Sequence, residues 1–428
     1  MKSGLYSDLV NGRLLIPHEE VAINGPIPDA SYKVIKPEQV AFISYPYEWC
    51  FSQLKDAALL TLEVQKKSLL RGMSLKDCSA YNIQFKSGRP VFIDTLSFEE
   101  YRDGQPWVAY RQFCQHFLAP LALMSHTDIR LSQLLRIYLD GIPLDLASTL
   151  LPARTFFDFS SLTHIHLHAK AQQYYSHKTS PLKKGGVTRF AFVGLIDDLE
   201  SAIRRLKWKA HATEWCDYYH DTNYSPEAFV HKKQIVSDFL EEVKPRGVWD
   251  LGSNTGIFSR LAMSKNIPVI SFDFDPGAVE KNYLTGIQEN ARRCLPLLLD
   301  LSNPSPGIGW ENRERLSLIG RGPTDTVFAL ALIHHLAISH NLPFACIADF
   351  FHKICDWLII EFVPKDDSQV QRMLVSRKDV FLNYTREQFE RTFGDLFTIK
   401  KIVEVKNSER SLYLMRKKVS RRPERVSP

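Results

Sequence analysis

No run of about 18 uninterrupted apolar residues occurs in this chain, so the sequence offers no helix to span a bilayer. Its first residues, M-K-S-G-L-Y-S-D, lack the apolar core of a secretory leader. The seven cysteines (50, 78, 114, 216, 294, 346 and 355) form no C-x-x-C pair and leave one over. That pattern argues against a disulfide framework and a structural zinc, and it fits a reducing compartment. No internal repeat or low-complexity tract stands out, so a repeat architecture is not expected. The expectation is a cytoplasmic globular protein of two or three domains, since 428 residues supply ample apolar material for real cores.

The net charge of +6 is partly concentrated at the end of the chain. Arg416-Lys417-Lys418, Arg421-Arg422 and Arg425 follow the last expected strand, with Pro423 and Pro428 among them. Residues 418–428 therefore read as a basic disordered tail. Without interleaved aromatics, they make nucleic acid an unfavoured partner.

What is present centres on V-W-D-L-G-S-N-T-G-I-F-S-R-L-A, Val248 to Ala262. Val248 and Trp249 read as a strand end, Asp250, Gly252 and Gly256 fall in a sharp turn, and Ile257, Phe258 and Leu261 open a helix. A glycine turn at a helix N-terminus lets a ligand approach the backbone closely. A second strand, Pro268 to Phe272, ends in Asp273-Phe274-Asp275-Pro276. An acid about 20 residues beyond such a turn can take both hydroxyls of a ribose, which makes Asp273 the candidate and Asp275 the reserve. A third strand, Leu295 to Leu299, ends in Asp300. A fourth, Thr326 to Leu330, opens into Ala331-Leu332-Ile333-His334-His335-Leu336. A fifth, Trp357 to Ile360, runs into Glu361. Polar residues at successive strand ends line the carboxyl edge of a parallel sheet, where doubly wound folds bind ligands.

These pieces resemble the class I S-adenosylmethionine-dependent methyltransferases. The resemblance rests on D-L-G-S-N-T-G, V-I-S-F-D-F-D, L-L-L-D-L-S, A-L-I-H-H-L and the terminal F-T-I-K-K-I-V-E-V and R-S-L-Y-L-M-R, over residues 213–417. It implies an α/β fold: a Rossmann-like, doubly wound, mostly parallel sheet with an antiparallel last strand. It also implies S-adenosylmethionine as cofactor, held by Asp250, Gly252, Ser253, Asn254, Gly256, Asp273, Phe274, Asp300 and Leu301. In that reading Asp250 and the turn take the methionine portion, Asp273 the ribose, and Asp300 the adenine amine. Asn254 stands where the commonest form of the loop has a glycine, and Asn tolerates the strained backbone better than most residues. A dehydrogenase would favour G-x-G-x-x-G around a pyrophosphate. Here the turn is D-x-G-x-x-x-G, with a carboxylate suited to an amino group.

The resemblance places the methyl acceptor beyond the fourth strand. Alignment supplies most of the acceleration in methyl transfer, and a neutral O or N acceptor must also lose a proton. His334, His335 and Glu361 are the candidate bases; the plain alternative is that one histidine packs on the sheet while the other shapes the pocket. Asn303-Pro304-Ser305-Pro306 reads as a loop stiffened by prolines. The aromatic segment Trp215 to Tyr224 either covers the cofactor mouth or joins a core.

Residues 1–175 read as a separate α+β domain, followed by a connecting segment, 176–212. Phe51 to Arg71 reads as an amphipathic helix, and Ile83–Phe85 and Pro90–Ile93 flank a turn, Lys86-Ser87-Gly88-Arg89. Asp77, Asn82 and Asp94 fit the spacing of a kinase-like catalytic region, with Ala41 to Tyr45 as a hinge strand. Asp94 is followed by Thr95-Leu96 instead of Phe-Gly, and no glycine-rich loop precedes it, so the resemblance is to a truncated scaffold without phosphotransfer. His164, His166 and His168 would share a face on a strand; they scatter if the segment opens a helix, which is the expected case. No metal site is expected. The whole pattern, G-R-P-V-F-I-D-T-L-S-F joined to D-L-G-S-N-T-G, resembles bacterial methyltransferases described as rhizobial nodulation proteins. That resemblance implies a saccharide or lipo-oligosaccharide acceptor; the wider methyltransferase reading leaves a small-molecule or saccharide acceptor, and oligomeric state stays open.

Overall fold

The computed structural model describes residues 3–23, 32–170, 186–209, 224–375 and 379–418. The chain divides into two compact units, Met1–Ala210 and His211–Pro428.

The first unit is built on the helix Phe51–Leu70, whose Leu54, Ala57, Ala58, Leu60, Leu62 and Val64 are all buried. Its start is fixed by Gln53, which accepts the Cys50 N–H at 2.9 Å. Three short antiparallel pairings join β1 (His18–Val21) with β2 (Val34–Pro37), β3 (Met73–Leu75) with β6 (Phe98–Glu100), and β4 (Ile83–Lys86) with β5 (Arg89–Phe92), and a parallel bridge joins Leu15 to Phe92. The β4–β5 hairpin closes on Ser87-Gly88, both at positive φ, the backbone that matches strand twist in a two-residue turn.

Ala41 to Tyr45 forms no strand, contrary to the hinge expectation. Ser44 is held by Gln84 instead: its N–H donates to the Gln84 side-chain oxygen at 2.9 Å. Asp77 accepts from the Ser79 N–H and the Gln112 amide, both at 2.9 Å. Asp94 and Asn82 meet through Ser97, whose hydroxyl donates to Asp94 at 2.7 Å and accepts from the Asn82 amide at 3.2 Å. The histidine triplet is helical, and each ring goes its own way. His164 bonds Tyr110 and Asp198, His166 bonds Ser148 and Thr155, and His168 stacks on Tyr110.

The segment expected to connect the domains is partly outside the described residues. Its described part builds the helix Arg189–Arg205, which buries Phe192, Ile196, Leu199 and Ile203 at helical spacing. That helix belongs to the first unit: Lys66 of Phe51–Leu70 bridges Asp197 and Glu200, each at 2.5 Å. The proline and glycine cluster suggested a linker, but the amphipathic stripe just beyond it needed a partner face.

The second unit opens with the helix Pro226–Val243. Ser225 caps it by accepting the Ala228 N–H at 3.1 Å, and Ile235, Val236, Phe239 and Leu240 form its buried stripe. Seven strands follow: β7 (Val248–Leu251), β8 (Val269–Asp273), β9 (Cys294–Leu298), β10 (Thr324–Ala329), β11 (Cys355–Phe362), β12 (Phe397–Glu404) and β13 (Ser411–Lys417). Their order is β12-β13-β11-β10-β7-β8-β9, with β7 to β11 paired in parallel. β13 lies antiparallel between β11 and β12. Every residue of β7 and β9 is buried, as a sheet covered by helices on both faces requires. Helices Ile257–Ser264, Pro276–Gln288 and Phe344–Ile354 carry the crossovers. The expected α/β doubly wound sheet with an antiparallel last strand is what the structure shows. No helix among the described residues is long and apolar enough to cross a membrane.

Candidate functional site

The turn after β7 is tied to the end of β8 through the backbone. The N–H groups of Gly252 and Ser253 both donate to the Phe272 carbonyl at 2.9 Å. The Asn254 N–H donates to Asp273 at 2.7 Å, and the Asp275 N–H reaches the other Asp273 oxygen at 2.9 Å. Asp273 is thus fixed in place by backbone N–H groups on both of its oxygens, and a carboxylate's four acceptor sites exceed the donors that hold it. Asp275 is spent differently. It accepts the Gly277 N–H at 2.6 Å and caps Pro276–Gln288, so it is a helix cap and not a reserve ribose ligand.

Two glycines explain the turn. Gly252 has φ of 75°, and a Cβ there would touch Leu332 at 3.4 Å, on the wall of the cavity described next. Gly256 has φ of 80°, and a Cβ there would lie 2.4 Å from the Asn282 side-chain oxygen. Gly256 therefore lets two helices meet; it supports the turn and does not line the cavity. Asn254 takes the strained backbone foreseen for it, at φ of 49°.

A cavity of about 340 Å³ opens at the carboxyl edge of β7 to β10. Asp250, Gly252, Ser253, Asn254, Asp273, Phe274, Asp300 and Leu301 line it, which is every expected cofactor residue except Gly256. Asp250 is 2% exposed and accepts the Ser259 hydroxyl at 2.6 Å. Burial pushes its carboxyl up to about 7, with the charge of Asp273 adding to the shift against Ser259. Burial also raises Asp273 to about 6, against the N–H groups of Asp275, Asn254 and Phe274 that hold it down. Asp300 is exposed, and one of its oxygens accepts from Ser302.

The three candidate bases separate. His335 lines the cavity; burial and the nearby His340 and Arg410 lower it to about 4, so it is neutral at physiological pH. His334 is 1% exposed and does not line the cavity. Its ring packs 4.3 Å from that of His335, and burial holds it well below the usual imidazole range. Of the two plain roles, packing is the one His334 has.

Glu361 does not line the cavity either. It is fully buried and accepts from the Lys232 ammonium at 2.6 Å, the Ala331 N–H at 2.7 Å and the Tyr224 hydroxyl. Burial would raise its carboxyl, but Lys232 and Arg410 outweigh that and hold it below the ordinary value. A carboxylate so engaged has no path to an acceptor proton, which corrects its expected role as a base. It serves instead to hold Ala331, a non-glycine residue at φ of 51°, in the turn that leads to His335.

Sequence reading missed Lys232, which is 3% exposed and lines the cavity. Nothing in the helical pattern of Pro226–Val243 marks it beyond one charged residue on the apolar stripe. Of the aromatic segment expected near the mouth, 215–223 lies outside the described residues, and Tyr224 lines the cavity with Phe229 and Phe258. Among the described residues, no group of three His, Cys, Asp or Glu is placed to hold a metal ion.

The strand order, the turn and this cavity define the class: a class I S-adenosylmethionine-dependent methyltransferase fold. The chain is 40% identical over 380 residues to nodulation protein NoeA of Rhizobium meliloti (strain 1021), covering 87% of this chain and 79% of that protein. It belongs to the NoeA family. No family model matches it.

Solved structures similar to it include magnesium protoporphyrin IX methyltransferase (ChlM) from Synechocystis PCC 6803, at 16% identity and a TM-score of 0.33, over 48% of this chain and 93% of that one. The N-methyltransferase NodS from Bradyrhizobium japonicum WM9 matches at 13% identity and 0.32, over 45% and 98%. The bifunctional kinase-methyltransferase WbdD matches at 16% and 0.34, over 47% and 41%, so this chain spans less than half of the WbdD length.

Proposed function

We propose that this protein binds S-adenosylmethionine in the cavity beside Asp250 and Asp273 and methylates an O or N atom of a small-molecule or saccharide acceptor. The observation that carries the reading is that acids from three successive strand ends, Asp250, Asp273 and Asp300, share one cavity with His335. The residues suit the donor. Asp250 offers a buried carboxylate to its amino group, Asp273 has lone pairs for the ribose hydroxyls, and Asp300 keeps one oxygen for the adenine amine. The N–H groups of Gly252, Ser253 and Asn254 are spent on Phe272 and Asp273 and so are turned away from a pyrophosphate. When bound, the donor supplies an electrophilic methyl group on a sulfonium.

The chain's own contribution is alignment, exclusion of water and proton removal. Tyr224, Phe229 and Phe258 provide apolar walls. His335, neutral and on the wall after β10, takes the acceptor's proton. Its lowered basicity suffices for a hydroxyl acceptor, because a methylated oxygen is strongly acidic; an amine acceptor would have to enter already deprotonated and would release its extra proton to solvent afterwards. The kinship with a nodulation protein supports searching for the acceptor among the saccharides and small molecules of the native host.

The test is incubation of the purified protein with labelled methyl donor and host extract. A labelled acceptor is expected, and His335→Ala should reduce its labelling by about 10²–10⁴-fold. Wild-type protein that binds neither S-adenosylmethionine nor its demethylated product would end this reading.

A further inference from the structure

Lys232 is a buried cation that neither the turn nor the proposed base accounts for. It projects from Pro226–Val243, and it is the single lysine or arginine among the described residues lining the cavity. Its ammonium has three donors. Glu361 takes one at 2.6 Å and the Tyr224 hydroxyl oxygen another at 3.2 Å. The rings of Tyr224 and Phe258 flank it, with centroids at 4.8 and 5.0 Å.

Two of its three donors are taken, which leaves one for a ligand. Burial, with the nearby Arg410, lowers the ammonium from its ordinary value, and Glu361 opposes that shift by pairing with it. Arg410 is bonded to Asp367 at 2.7 and 3.0 Å and lies 3.9 Å from Glu361, so Lys232 is the nearer of the two cations on Glu361. Asp250 is close enough to feel the ammonium and lines the same cavity. One buried acid and one buried base at the same end make a receptor for a zwitterion. An amino-acid group, with its ammonium on one side and carboxylate on the other, is the chemical class that matches both.

We propose that Lys232 receives the carboxylate of the donor's amino-acid tail, facing Asp250, which receives the amine. This rests on the cofactor reading above and sharpens it: the cavity selects a donor carrying an intact amino-acid group. Tyr224 and Phe258 exclude water from the pair, which strengthens it.

Calorimetric titration of the full chain with S-adenosylmethionine and with decarboxylated S-adenosylmethionine tests this, since the two differ only in the carboxylate. Wild type is expected to favour the intact donor by about tenfold or more. Lys232→Met should abolish that preference by weakening the intact donor alone. Because this variant leaves Glu361 with only the more distant Arg410, the Lys232→Met/Glu361→Gln double variant provides a second test and should likewise lose the preference. Asp250→Asn should weaken both ligands and keep it. Equal binding of the two ligands by wild type, or a preference that survives in either Lys232 variant, overturns the proposal. Failure of wild type to bind either ligand or S-adenosylhomocysteine would instead overturn the cofactor reading.

Discussion

Asp250 and Asp273 are held closer to neutrality than carboxylates in water, and each does so at a cost to the empty fold. Their ordinary value is 3.8; in the folded chain they sit near 7 and 6. The folded state therefore keeps protons that the unfolded chain has released, and stability falls as pH rises from about 4 to 7. Ligand binding has the opposite sign, since an amine needs the ionised carboxylate. Affinity for S-adenosylhomocysteine should rise with pH through 6 and 7 and then level off, as calorimetry across that range would record. Asp250→Asn keeps an acceptor for the Ser259 hydroxyl and removes the buried charge. At pH 8 the ligand-free variant should melt higher than wild type, by about 2–4 °C for each kcal/mol relieved, while binding falls about tenfold or more. A variant that lost both stability and binding would show that Asp250 is structural.

Two contacts between elements govern how the site is assembled. Lys232 on Pro226–Val243 and Glu361 on β11 form an ion pair with side chains 4% and 0% exposed. Removing one partner leaves a poorly compensated buried charge, Lys232 without its carboxylate or Glu361 with only Arg410 at 3.9 Å, so Lys232→Met or Glu361→Ala should each cost about 3–5 kcal/mol. The Lys232→Met/Glu361→Gln pair should recover much of that loss. Urea denaturation of the singles and the double gives the coupling directly, and additive losses would refute it.

The second contact is Gly256 against Asn282. Gly256→Ala combines a left-handed backbone with a 2.4 Å approach, and about 2–4 kcal/mol of destabilisation is expected from strain and overpacking together. The same urea curves report it as a lower midpoint with an unchanged slope.

At the scale of the whole chain, two units each have their own core, one around Phe51–Leu70 and one around the seven-stranded sheet. A ligand that binds only the folded second unit stabilises that unit by mass action, by about 2.7 kcal/mol at a hundred times its dissociation constant. Scanning calorimetry with saturating S-adenosylhomocysteine should shift the transition of His211–Pro428 upward. A shift confined to the transition of Met1–Ala210 would place the ligand elsewhere.

The sheet was legible in sequence because its strands are short apolar runs ending in acids or histidines, each followed by a helix signal. β7 to β11 and the β12–β13 hairpin all lie where those runs fall. The glycine turn, Asp250, Asp273 and Asp300 could be chosen because their spacing alone brings them to one edge of a parallel sheet. Spacing could not tell His334 from His335, or a base from a buttress at Glu361. Those distinctions depend on which way a side chain points after Ala331 turns left-handed, and on Lys232 arriving from a helix that ends five residues before β7 begins. Local sequence set the backbone path and the polar strand ends; only packing between distant segments decided which charges face the cavity and which are consumed beneath it.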